Sequence, residues 1–81
     1  MIIIGDVIQF KSIDRFFVKE KVGIKNNTVR MLDSNERDEF FDKLRYLKTI
    51  RITTSDLNEA FDREIQDVSF YGELVIFTWK V

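Results

Sequence analysis

The chain has 81 residues, a hydrophobic fraction of 44%, a charged fraction of 33% and a net charge of −1. That is the balance of a single folded domain, here residues 1–81, close to the size at which one core is only just sufficient. It contains no Cys and no His, which excludes disulfides, thiolate chemistry, imidazole-based triads and most zinc sites.

Taken in order, Ile2-Ile3-Ile4 runs into a Gly5-Asp6 turn, and Val7 to Lys11 reads as a strand with Ile8 and Phe10 in period two. The apolar start is too short for a signal peptide or membrane span, so a soluble, cytoplasmic chain without membrane contact is expected. Phe16-Phe17-Val18 and the charged residues after it, up to Val22, fit a second strand or a short helical turn, and strand is the reading taken. Gly23 breaks that run, and Asn26-Asn27 tolerate a left-handed backbone, which makes residues 23–27 a loop or hairpin tip. Thr28 to Leu32 resumes extended structure, with Thr28, Arg30 and Leu32 on one face and Val29 and Met31 on the other.

Asp33 followed three positions later by Glu36 has the form of a capping box. The acids Glu36, Asp38 and Glu39 then favour the start of a helix, and Phe40, Leu44 and Leu47 give it one apolar face. The spacing predicts one α-helix at about 35–48. Thr49 to Thr54 alternates as a half-buried strand and Ser55 to Asn58 is a turn. Residues 57–68 have helical periodicity in Leu57, Ala60, Phe61, Ile65 and Val68, yet Phe61, Arg63 and Ile65 also alternate. The short turn before them suits a hairpin with 49–54, and strand is the assignment adopted. After the Tyr71-Gly72 turn, residues 73–81 are almost all β-formers with apolar residues on both faces, as in a strand covered on both sides. The fold class expected is therefore mainly β (α+β): a small five- to six-stranded barrel or bent sheet with one α-helix.

Charge is unevenly spread. Residues 11–30 carry six Lys/Arg against Asp14 and Glu20, whereas residues 31–67 carry ten acids against six bases. A basic edge of this kind suits an anion or a polar ligand. There is no P-loop, no dinucleotide fingerprint and no complete calcium loop, so neither a cofactor nor a metal is expected. The passage with chemistry is Gly23-x-Lys25-x-x-Thr28-x-Arg30, which offers an ammonium, a hydroxyl and a guanidinium to carbonyl or phosphate oxygens.

This passage resembles the G-x-K-x-x-T-x-R signature of ASCH domains, small β-barrels of the PUA-like superfamily, and Phe61 to Val68 resembles their late strands. The chain is also similar to small uncharacterised phage and prophage proteins with a G-x-K-x-N-T-V-R passage and a Trp-bearing final strand. The ASCH resemblance implies a module that binds RNA, a nucleotide or a modified nucleoside through Lys21, Gly23, Lys25, Asn27, Thr28 and Arg30, with Phe16, Phe17 or Tyr71 available for stacking. It also implies an alternative, a small amidohydrolase acting through Lys25 and Thr28 with Glu64 or Glu73 as the outside glutamate. A phage-type protein-interaction module, using an apolar edge or the acidic helix, is the third expectation. The sequence leaves the oligomeric state open.

Overall fold

A computed structural model describes residues Met1–Lys80. Its elements run β1 (Ile2–Ile4), β2 (Val7–Ser12), α1 (Asp14–Lys21), β3 (Asn27–Met31), α2 (Ser34–Lys43), a 3-10 turn (Leu44–Tyr46), β4 (Thr49–Thr54), β5 (Ala60–Tyr71) and β6 (Leu74–Trp79). The strands form one six-stranded mixed sheet in the order β1-β2-β4-β5-β6-β3, so the fold is mainly β as expected. It is an open sheet, with β1 and β3 at its edges. β2 and β4 run parallel in register Val7↔Thr49 to Ser12↔Thr54, and the neighbouring pairs are antiparallel.

The parallel pair demands a long crossover, and α1, β3 and α2 supply it. Lys48 and Thr49 open β4 by donating their N–H groups to the Asp6 carbonyl at 2.9 and 3.1 Å. That docking ends α2 early. The α-helical part stops at Lys43 and tightens into the 3-10 turn, instead of running to residue 48. Its start is as expected: the Asp33 carboxylate accepts from the Glu36 N–H at 2.8 Å, and Glu36 accepts from the Asp33 N–H. A cap of this kind contributes about 1 kcal/mol. Phe40 on this helix is fully buried, while Leu44 and Leu47 pack against the core only in part.

The contested segment is a strand. β5 pairs with β4 through Ile52↔Phe61 and Arg51↔Asp62, after a turn at residues 55–58 in which Leu57 takes φ +65°. Arg51 grips Asp62 with both arms of its guanidinium, Nε to Oδ1 at 2.7 Å and Nη2 to Oδ2 at 2.9 Å, which holds the Asp62 carboxyl below its usual range. β6 sends Val75, Phe77 and Trp79 into the core with Ile8, Phe10, Ile50, Ile52 and Phe61, and its other face is half covered. Val81, the end of the expected final strand, lies outside the described residues.

Two departures from expectation shape the region around Lys25. Residues 14–21 form a second helix, where a strand was expected over 16–22. Phe17 packs on Phe61 at 5.3 Å between ring centres, Asp14 sits in the first turn and Lys19 and Lys21 in the last, all consistent with a helix. Residues 23–27 are accordingly a helix-to-strand link and not a hairpin tip, and β3 pairs with β6, not with the segment before it. Neither asparagine is left-handed; in this link only Gly23 is, at φ +88°.

Candidate functional site

The site grows out of how α1 stops. Gly23 takes the left-handed backbone that ends the helix cheaply, its N–H donating to the Glu20 carbonyl at 3.4 Å and the Lys25 N–H to the Lys19 carbonyl at 3.1 Å. The chain thereby folds back under its own helix. Lys25 is brought beside Glu20, and its Nζ donates to Glu20 Oε2 at 3.4 Å and to the Asn27 carbonyl at 2.7 Å. Glu20 is wholly buried. A buried carboxylate needs both a counter-charge and hydrogen bonds, and Ser12 Oγ at the end of β2 completes the set by donating to Oε1 at 3.0 Å.

Along β3 the pleat turns Thr28 inward and leaves Val29 and Met31 exposed, as the alternation predicts. Thr28 Oγ1 accepts from Arg30 Nε at 3.0 Å, two residues on and on the same face. Arg30 then crosses to β2, where Nη1 donates to the Lys11 carbonyl at 2.7 Å and the guanidinium carbon sits 4.9 Å from the centre of the Phe10 ring. β1 pairs only with Val7–Gln9, so the outer edge of β2 beyond that point is free of β1. β3 lies across from it without joining the sheet there, and the Arg30 side chain spans the gap. Burial lowers the Arg30 pKa below its ordinary value, with the charge of Glu20 working in the opposite sense.

Between α1, the end of β2 and β3 lies a cleft of about 380 Å³ bordered by Lys11, Ser12, Phe16, Lys25, Thr28 and Arg30. Phe16 is partly exposed, with the Arg15 guanidinium 5.0 Å and Lys25 Nζ 5.7 Å from its ring centre. Three cations, Lys11, Lys25 and Arg30, border the cleft, and of these only Lys25 is ion-paired with Glu20. The Thr28 hydroxyl proton has no acceptor among the described residues.

Lys25, Thr28 and Arg30 are thus brought together on one cleft, with Gly23 and Asn27 acting through their backbones. Lys21 is not part of it: its ammonium lies 6.0 Å from the Phe17 ring centre and its carbonyl accepts from Arg63 Nη2 at 2.8 Å. The carboxylate that meets Lys25 is Glu20, not Glu64 or Glu73. Glu64 lies on β5 opposite Thr49, and Glu73 borders a separate cleft with Met31 and Glu36. Of the three aromatics, Phe17 is buried in the core and Tyr71 lies in the β5–β6 hairpin, which leaves Phe16 at the cleft. Glu20 and Ser12 were missed by sequence reasoning; the available signal was the Phe17/Glu20 spacing, which puts both on the inner side of a helix.

Among the described residues no group of three or more carboxylates is placed to hold a metal ion, and no helix is long and apolar enough to cross a membrane. Comparison of the chain with protein-family models, curated proteins and solved structures finds no match in any of the three.

Proposed function

We propose that the cleft is a binding site for a nucleoside unit, free or within a nucleic acid strand, held by Lys25, Thr28 and Arg30 with Phe16 as its stacking surface. The observation that carries this reading is the convergence of cationic and hydroxyl donors with one partly exposed aromatic ring on a concave surface. The volume is near the lower end of the roughly 300–1,000 Å³ typical of small-ligand pockets, which suits a base and sugar better than a large ligand. Glu20 serves as the anchor that orients Lys25, and the excess of cations draws carbonyl or phosphate oxygens.

Hydrolysis of an acylated nucleoside by Lys25 and Thr28 is the second reading, favoured by the approach of Lys25 to a glutamate. It is the weaker one on geometry. The Lys25 amine acts as donor to two oxygens, and no acceptor among the described residues stands ready to take the Thr28 proton.

Calorimetric titration with cytidine and with N4-acetylcytidine tests both readings. Binding of either, weakened about tenfold in Phe16→Ala, is the expected result, since stacking on an aromatic is worth about 1–3 kcal/mol per base. Phe16 is exposed enough for that variant to fold. Binding with equal affinity in the variant removes the stacking role, and no heat with either ligand removes the reading. Release of acetate that Thr28→Ala abolishes would establish the hydrolase instead.

A further inference from the structure

A second cleft, of about 410 Å³, adjoins the first and shares two of its walls, Lys11 and Arg30; Gln9, Met31 and Glu36 are among the others. The two cavities follow β3 from Thr28 to Met31, three residues or roughly 10 Å of strand, and the Arg30 bridge to the Lys11 carbonyl is the partition between them. That partition is cationic. Arg30 has five N–H donors, of which Nε is given to Thr28 and one on Nη1 to Lys11, so three remain without a partner among the described residues. The guanidinium is also partly drawn out of water above Phe10, so an added anion gains more there than on open surface. Beyond the partition the second cleft carries Glu36, whose Oε2 is paired with the Met1 ammonium at 3.4 Å on the same wall and whose Oε1 accepts from the Asp33 N–H; its remaining lone pairs can accept from an exocyclic amine.

We infer that this edge takes a phosphodiester-linked pair of nucleosides, one unit in each cleft, with the linking phosphate seated over Arg30 and Lys11. The bases of a single strand can be unstacked and splayed out onto a protein surface, and this arrangement places the negative charge where the free donors are. The inference rests on the nucleoside-binding reading and narrows it from a nucleoside to a dinucleotide step.

The experiment compares three ligands on the full chain at fixed salt: cytidine, cytidylyl-cytidine, and the same dinucleoside with an uncharged methylphosphonate link. The charged dinucleoside binds at least about tenfold tighter than cytidine, as expected for a hydrogen-bonded charge contact. The uncharged one loses most of that gain. The salt dependence steepens by about 0.7 in slope for the one phosphate, and the amides of Gln9, Met31 and Leu32 shift with the dinucleosides but not with cytidine. Ribose and deoxyribose forms are run in parallel to tell RNA from single-stranded DNA as the source. If cytidine binds and the dinucleoside binds no better, the step is overturned while the nucleoside site stands. If the charged and uncharged dinucleosides bind alike, the phosphate seat is overturned. If none binds, both readings fall together.

Discussion

Lys25→Met is expected to destabilise the protein by about 3 kcal/mol, the lower end of the cost of breaking a buried ion pair, because it strands the Glu20 carboxylate in the interior. Glu20 is 0% exposed, whereas the Lys25 side chain is 31% exposed, so the charge at risk is the glutamate's. Without Lys25 only the Ser12 hydroxyl would still donate to it. Glu20→Gln in the Lys25→Met background should restore about 2 kcal/mol of this, since a neutral amide keeps a partner in Ser12 and removes the uncompensated charge. Urea denaturation of the parent, the single variant and the double variant measures both the loss and its recovery. A Lys25→Met variant within about 0.5 kcal/mol of the parent, the range of ordinary surface substitutions, would mean that the pair does not hold the site together. The double variant also separates two roles of the same residue: its stability returns, but its cleft has lost the ammonium and should not bind ligand.

Phe77→Ala should cost about 4 kcal/mol and lower the melting temperature by about 20 °C, given about 4–8 °C per kcal/mol for a domain of this size. Phe77 is fully buried at the middle of β6, with the rings of Phe10 at 5.3 Å and Phe40 at 5.7 Å. Its removal leaves a void between sheet and helix that neither neighbour can fill without leaving its rotamer. Phe41→Ala is the control. That ring is about half exposed and stacks on Phe70 at 5.4 Å, so its loss should cost about 1 kcal/mol or less. A calorimetric scan in which the two variants melt alike would contradict the placement of the core. Phe77 also bears on the cleft, because Phe10, on which it packs, lies beneath the Arg30 guanidinium.

What the sequence made legible was decided by local chemistry. Asp33 and Glu36 announce their helix because both partners of the cap lie within four residues. β3 shows its faces because strict alternation puts Thr28 and Leu32 on the side opposite Val29 and Met31. The strand at residues 60–71 was readable through its hairpin with 49–54 and the resemblance to late barrel strands, since periodicity alone slightly favoured a helix.

What stayed hidden was decided by tertiary context. Phe16-Phe17-Val18 are good strand formers, but the segment follows a strand whose parallel partner is β4, and it docks as a helix with Phe17 against Phe61. Missing that helix concealed the site's carboxylate. As a strand residue among lysines Glu20 looks like solvated charge, and only the helical turn carries it inward to Ser12 and Lys25. Barrel or open sheet was likewise undecidable, because strand count is the same either way. The answer lies in the absence of β2–β3 pairing, with a side chain crossing where backbone bonds would have closed the ring.

Amide chemical-shift titration of the full chain with cytidine tests the central claim most directly. Saturable shifts centred on Ser12, Phe16, Lys25, Thr28 and Arg30, with the far face of α2 unmoved, are the predicted result. Shifts scattered over the surface without saturation, or confined to residues away from that cleft, would contradict it.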